Sequence, residues 1–119
     1  MPYPLFPPQF LPNGLSLAHI GVASLAWRRE DALAILEALH GTSVAVLGGD
    51  VLDTAEGPLT HNYSNWYVEP LPQEEWSAFV IRSHRRAAEY IASYRHPSTG
   101  SCAFTLVLTD VPISVEASS

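Results

Sequence analysis

A chain of 119 residues that is 47% hydrophobic and 15% charged has enough apolar material for one self-supporting core, and too much for a disordered segment. Its single cysteine, Cys102, excludes an internal disulfide and fits a reducing compartment, and no apolar run approaches the roughly 18 residues of a membrane span. The net charge of −6 argues against nucleic acid as a direct partner, because phosphates need a basic footprint.

The charge is unevenly placed. Asp50, Asp53, Glu56, Glu69, Glu74 and Glu75 lie between Ser43 and Glu75, a stretch without Lys or Arg. The rest of the chain holds six acids against six arginines and is neutral. Such a segment suits a basic protein surface, and it also serves plain solubility.

In chain order, residues 1–14 read as a proline-rich N-terminal arm. Pro2, Pro4, Pro7, Pro8 and Pro12 exclude a long helix, no basic region opens an export signal, and Asn13-Gly14 marks a turn. A soluble cytoplasmic protein is the expectation. Tyr3, Leu5, Phe6, Phe10 and Leu11 are too apolar for a free tail, so the arm is expected to pack on the domain or on a neighbouring copy. Leu15 to Ile20 suggests a short helical turn, and Val22 to Trp27 a strand.

Arg29 to Leu39 reads as a helix. Glu30 and Asp31 sit at its positive end, Ala32, Ile35, Leu36 and Leu39 form an apolar stripe, and Gly41 is placed to end it. Ser43 to Leu47 is a buried strand running into Gly48-Gly49-Asp50, with Val51 and Leu52 continuing beyond a kink. A polar loop from Asp53 to Thr60 leads to an aromatic strand over Asn62 to Glu69, in which alternation puts Trp66 and Tyr67 on opposite faces.

A second helix is predicted from about Gln73. Trp76, Phe79, Val80, Ser83, Ala87, Tyr90, Ile91 and Tyr94 recur at three- and four-residue intervals, with an Arg85–Glu89 pair on its solvent side. His96-Pro97 and Gly100 end it. Cys102 to Leu108 is the last strand, and residues 113–119 form a tail or edge strand after Pro112.

The expected order is β-α-β-β-α-β. It describes an α+β domain over residues 15–112, with a three- to four-stranded sheet and two amphipathic helices packed on one face.

No convincing catalytic set emerges. The five histidines are scattered, none in zinc-like spacing with Cys102, so no metal and no cofactor is expected. Cys102 lies in an apolar strand and reads as core. Ser83 and His84 are neighbours on a helix, about 100° apart, and cannot act together as nucleophile and base. Asp50, His61 and the Arg82–Arg86 face would make a small-ligand or catalytic pocket only if they converged. His61, Tyr63 and Trp66, near Asp50 and Asp53 in sequence, have the polar-aromatic mix of an interface hot spot.

The run Ala45-Val46-Leu47-Gly48-Gly49-Asp50-Val51, the later Trp66, and the long helix with Trp76 and Tyr90 together resemble the immunity protein 40 family. These are immunity proteins of bacterial polymorphic toxin systems with an α+β fold and a Gly-Gly-Asp motif. The resemblance spans about Ile20 to Leu108. It implies a small cytoplasmic, non-enzymatic protein that binds and neutralises a toxin of its own lineage. Gly48, Gly49, Asp50 and Trp66 are the family-like positions. With the charge pattern, the expected contact set is Asp50, Asp53, Glu56, His61 and Trp66, facing a basic toxin surface. A homo-oligomer joined through the N-terminal arm is the competing role.

Overall fold

A computed structural model describes residues 5–18, 25–53, 60–95 and 102–112. Among them, a short 3-10 segment (Pro8–Asn13) leads into β1 (Leu15–Ser16), β2 (Leu25–Arg28) and α1 (Arg29–Ala38). Next come β3 (Ala45–Asp53), β4 (Thr60–Tyr67), α2 (Trp76–Ser93), β5 (Cys102–Thr105) and β6 (Val107–Thr109). The class is α+β, as the patterning predicts, but the sheet has six strands where three to four were expected. The two that escaped are too short to carry a period: β1 spans two residues, and the final strand is broken at Leu106 into β5 and β6.

The sheet is antiparallel in the order β1-β2-β5-β3-β4. β6 prolongs β5 along β3, so the broken last strand flanks β3 on one side and β4 flanks it on the other. The final strand thus inserts between β2 and β3.

β3 does not end at Gly48-Gly49-Asp50. It runs through the motif to Asp53, with the glycines at mid-strand. Of the segment expected as a helical turn over Leu15 to Ile20, Leu15 and Ser16 instead pair with Ala26 and Leu25 as β1, Ala18 has 3-10 geometry, and the last two positions lie outside the described residues. Positions 19–24 and 54–59, including Val22 and Glu56, lie outside the described residues, as do Tyr3, the 96–101 connection and the 113–119 tail.

Both helices bury the predicted stripes. Ala32, Ile35, Leu36 and Leu39 of the α1 segment join Ala87 and Ile91 of α2 around Val46, Val51, Trp66 and Phe104 of the sheet, in one core. Both helices therefore cover the same sheet face. α2 begins three residues later than expected, because Gln73 takes a left-handed φ of 64° and the Glu74 N–H closes a turn on the Leu71 carbonyl. Among the described residues the ion pair that forms is Arg82–Glu74, not Arg85–Glu89.

Arg29 opens α1 and ties the two helices together. Its guanidinium donates to the carbonyls of Ile91, Ala92 and Tyr94, the unsatisfied acceptors at the C-terminal end of α2, and lies 5.7 Å from the Phe104 ring centroid. The N-terminal arm packs on its own chain: Phe6 is buried against Trp27 at 5.1 Å between ring centroids, with Phe10 and Leu11 beside it.

Candidate partner-binding face

The side of the sheet turned away from α1 and α2 follows from the pleat. Val51 and Phe104 point into the helix-side core, so Asp50, Leu52 and Ala103 point the other way. One half of that outer face is sealed, because Leu17 folds over Ala26, Leu52 and Ala103 and all four are buried. The other half, over β4, β3 and β6, is open. There Gly48 pairs in register with Tyr67 on one side and Val107 on the other. Tyr67 is 73% and Val107 49% exposed. Asp50, exposed, follows on the same face opposite Asn65.

The result is a shallow depression of ≈ 300 Å³ with glycine as its floor, lined by Leu47, Gly48, Asp50, Asn65, Tyr67 and Val107. Two exposed side chains, a phenol and an aliphatic group, thus flank a glycine on this part of the sheet face.

The Gly-Gly-Asp motif divides into two jobs. A Cβ on Gly48 would stand 2.8 Å from the Tyr67 Cα, with the Trp66 carbonyl oxygen nearer still, and its φ of 154° disfavours any other residue. A Cβ on Gly49 would stand 2.7 Å from Cη2 of Trp66 and 2.9 Å from the Thr105 carbonyl carbon. Both glycines let neighbouring strands approach where the ladder with β6 shifts register, between Val46 and Gly48. Asp50 donates its backbone N–H to Oγ1 of Thr105 at 2.8 Å, which leaves its carboxylate facing outward. Among the described residues no cation pairs with that carboxylate.

Trp66 lies on the opposite face from Tyr67, as alternation predicts. It is 5% exposed and stacks on Tyr90 at 4.8 Å between centroids. Tyr94 follows at 5.8 Å from Tyr90 and meets Phe104 edge-on at 5.9 Å. The Tyr94 hydroxyl donates to Oγ of Ser64, tying this aromatic row to β4. Trp66 thus acts from beneath the face, as packing.

The remaining candidates are spread. Asp53 is half-buried at the end of β3, opposite Thr60 and Cys102. His61 stands in β4 opposite Leu52, and its side chain and Glu56 lie outside the described residues. Arg82 is held by both carboxylate oxygens of Glu74 and by the Glu69 carbonyl. This bidentate pair, with the Leu71 N–H also donating to Glu74, lowers the Glu74 carboxyl to about 2. Arg85 and Arg86 are exposed on α2, across the sheet from Asp50, so the pocket that would join Asp50 to this arginine face does not form.

Ser83 and His84 are structural ties. The Ser83 hydroxyl donates to the Val80 carbonyl and accepts the Val46 N–H, while Nε2 of His84 lies 2.7 Å from the Val44 carbonyl oxygen. Burial pushes the Cys102 thiol up, away from the nucleophilic thiolate. No group of His, Cys, Asp and Glu able to hold a metal occurs among the described residues.

Sequence reasoning missed Val107 and Asn65 as members of the face. The alternation around Trp66 pointed Tyr67 outward, but no local signal sets Val107 beside Gly48.

Comparison with curated proteins and with solved structures returns no match. The sequence model described as Immunity protein 40 matches residues 16–108, which takes in every strand from β2 through β5, both helices and the Gly-Gly-Asp row. The chain belongs to the Immunity protein 40 family.

Proposed function

We propose that this protein neutralises a toxin by docking the open half of the sheet face turned away from α1 and α2 onto it. The observation that carries the reading is the exposed row Tyr67–Gly48–Val107, with the Asp50 carboxylate beside it, on the part of the face that the Leu17 segment leaves bare. An isolated domain gains nothing from two exposed apolar side chains flanking a glycine floor, whereas an interface gains a shaped anchor site.

Of the acidic stretch, Asp50 lies on this face, whereas Asp53 shares the helix side with Cys102. Asp50, with Asp53 and Glu56 nearby in sequence, favours a toxin with a basic contact region and speeds encounter at low salt. His61 borders this stretch in β4, and Trp66 supports the face from the core side. In the arm, Phe6 packs into the chain's own core.

The test is co-expression with a candidate cognate toxin domain, scored as cell survival. Tyr67→Ser and Asp50→Lys are the variants, because both side chains are exposed and the fold tolerates their change. Loss of protection with unchanged thermal stability is the expected result. Full protection by the Tyr67→Ser/Asp50→Lys double variant would sink the proposal.

A further inference from the structure

The geometry points to an arginine side chain of the protein partner as the occupant of the Gly48 depression. This rests on the reading of the open sheet face as the docking surface and names the chemistry that face recognises.

Tyr67 and Val107 flank Gly48 in register on adjacent strands. Two strand spacings put their Cα atoms about 9.5 Å apart across a residue with no side chain. That is a slot for an unbranched or planar group and too narrow for a branched core residue with its own backbone. Its walls are a phenol ring and a small aliphatic side chain, both substantially exposed. Asp50 stands two residues along the same strand face, about 7 Å from Gly48, at one end of the slot.

An arginine satisfies every wall at once. Its methylene stem lies over Gly48 between Tyr67 and Val107, its flat guanidinium stacks on the Tyr67 ring, and two of its N–H groups reach the Asp50 carboxylate. A lysine offers the charge without the plane. An apolar anchor would leave Asp50 desolvated and unpaired under the interface, which is costly. The local charge favours a cation, because the Asp50 carboxylate is exposed and pairs with no cation among the described residues.

The experiment is a ¹H–¹⁵N titration of the full chain with the blocked tripeptide acetyl-Gly-Arg-Gly-amide. The same peptide carrying lysine or citrulline in place of arginine gives the comparison arms. The expected result is saturable shifts at the amides of Gly48, Asp50, Tyr67 and Val107, stronger with arginine than with lysine and absent with citrulline. Asp50→Asn should weaken the arginine peptide about five-fold, the size of one well-formed exposed charge pair. Shifts that are equal for arginine and citrulline, or that spread away from these amides, overturn the proposal, as does a flat titration.

The toxin assay separates the two readings. If Tyr67→Ser loses neutralisation while the arginine peptide leaves these amides unmoved, the face stands and the arginine anchor falls. If the peptide binds as described while both variants neutralise normally, the guanidinium site stands and the face is not where the toxin docks.

Discussion

Replacing Gly49 by alanine should destabilise the sheet strongly, because the added methyl group has no room between β3 and β5. The new Cβ would meet Cη2 of Trp66 at 2.7 Å and the Thr105 carbonyl carbon at 2.9 Å, with the carbonyl oxygen closer. Neither neighbour is a free end: Thr105 belongs to β5, and Trp66 is wedged against Tyr90. Relief requires either prising β3 from β5 or tilting the indole off its stack. Overfilling a packed site costs about 1–3 kcal/mol, and losing an aromatic pair adds about 0.5–1.5 kcal/mol. A total near 3 kcal/mol is a large share of the roughly 5–15 kcal/mol that holds a domain folded. With about 2.1 cal/mol/K of unfolding entropy per residue, it lowers Tm by about 12 °C. Urea unfolding followed by tryptophan fluorescence measures it, with Asp50→Ala as the control expected to stay within about 0.5 kcal/mol. If Gly49→Ala unfolded at the parental urea midpoint with an unchanged m-value, the close-approach account of the motif would be wrong.

Three further perturbations probe the supports of the face. Ser83→Ala leaves the Val46 N–H without its side-chain acceptor in a buried site, and chemical denaturation should show a loss of about 1–3 kcal/mol. Arg29→Lys should destabilise nearly as much as Arg29→Ala, because one ammonium cannot reproduce the guanidinium fork on the α2 carbonyls; a lysine variant with parental Tm would contradict this. Glu74, lowered to about 2 by Arg82, contributes stability that is fully present above the ordinary carboxylate pKa of 4.5 and is lost as pH falls from there toward 2. Thermal melts between those limits should therefore fall more steeply for the parent than for Glu74→Gln, and parallel curves would remove the pair from the acid response.

Local periodicity made most of the elements legible. The α2 stripe from Phe79 to Ile91 is buried as spaced, α1 buries Ala32, Ile35 and Leu36, and the alternation at Trp66-Tyr67 turned the ring inward and the phenol outward. What failed locally failed for want of length or for a long-range cause. Two residues at Leu15–Ser16 carry no period, and the break at Leu106 is invisible in a continuous apolar run. Gly48-Gly49 looks like a turn in sequence because the strands that crowd it, β4 and the β5–β6 pair, arrive from far along the chain.

The candidate site was legible only in part, for the same reason. Asp50 and the acidic stretch stand out from composition, but the face depends on Tyr67 and Val107, forty residues apart in numbering, meeting across one glycine. The sequence alone determined an α+β chain with two amphipathic helices, an acidic middle and a Gly-Gly-Asp signature, since propensity, periodicity and charge are properties of neighbours. Only the tertiary structure decided that the last strand slots between β2 and β3. That pairing places Val107 beside Gly48, buries Trp66 under the sheet and leaves half of one face open, because strand order is set by which apolar surfaces can be buried together at a distance.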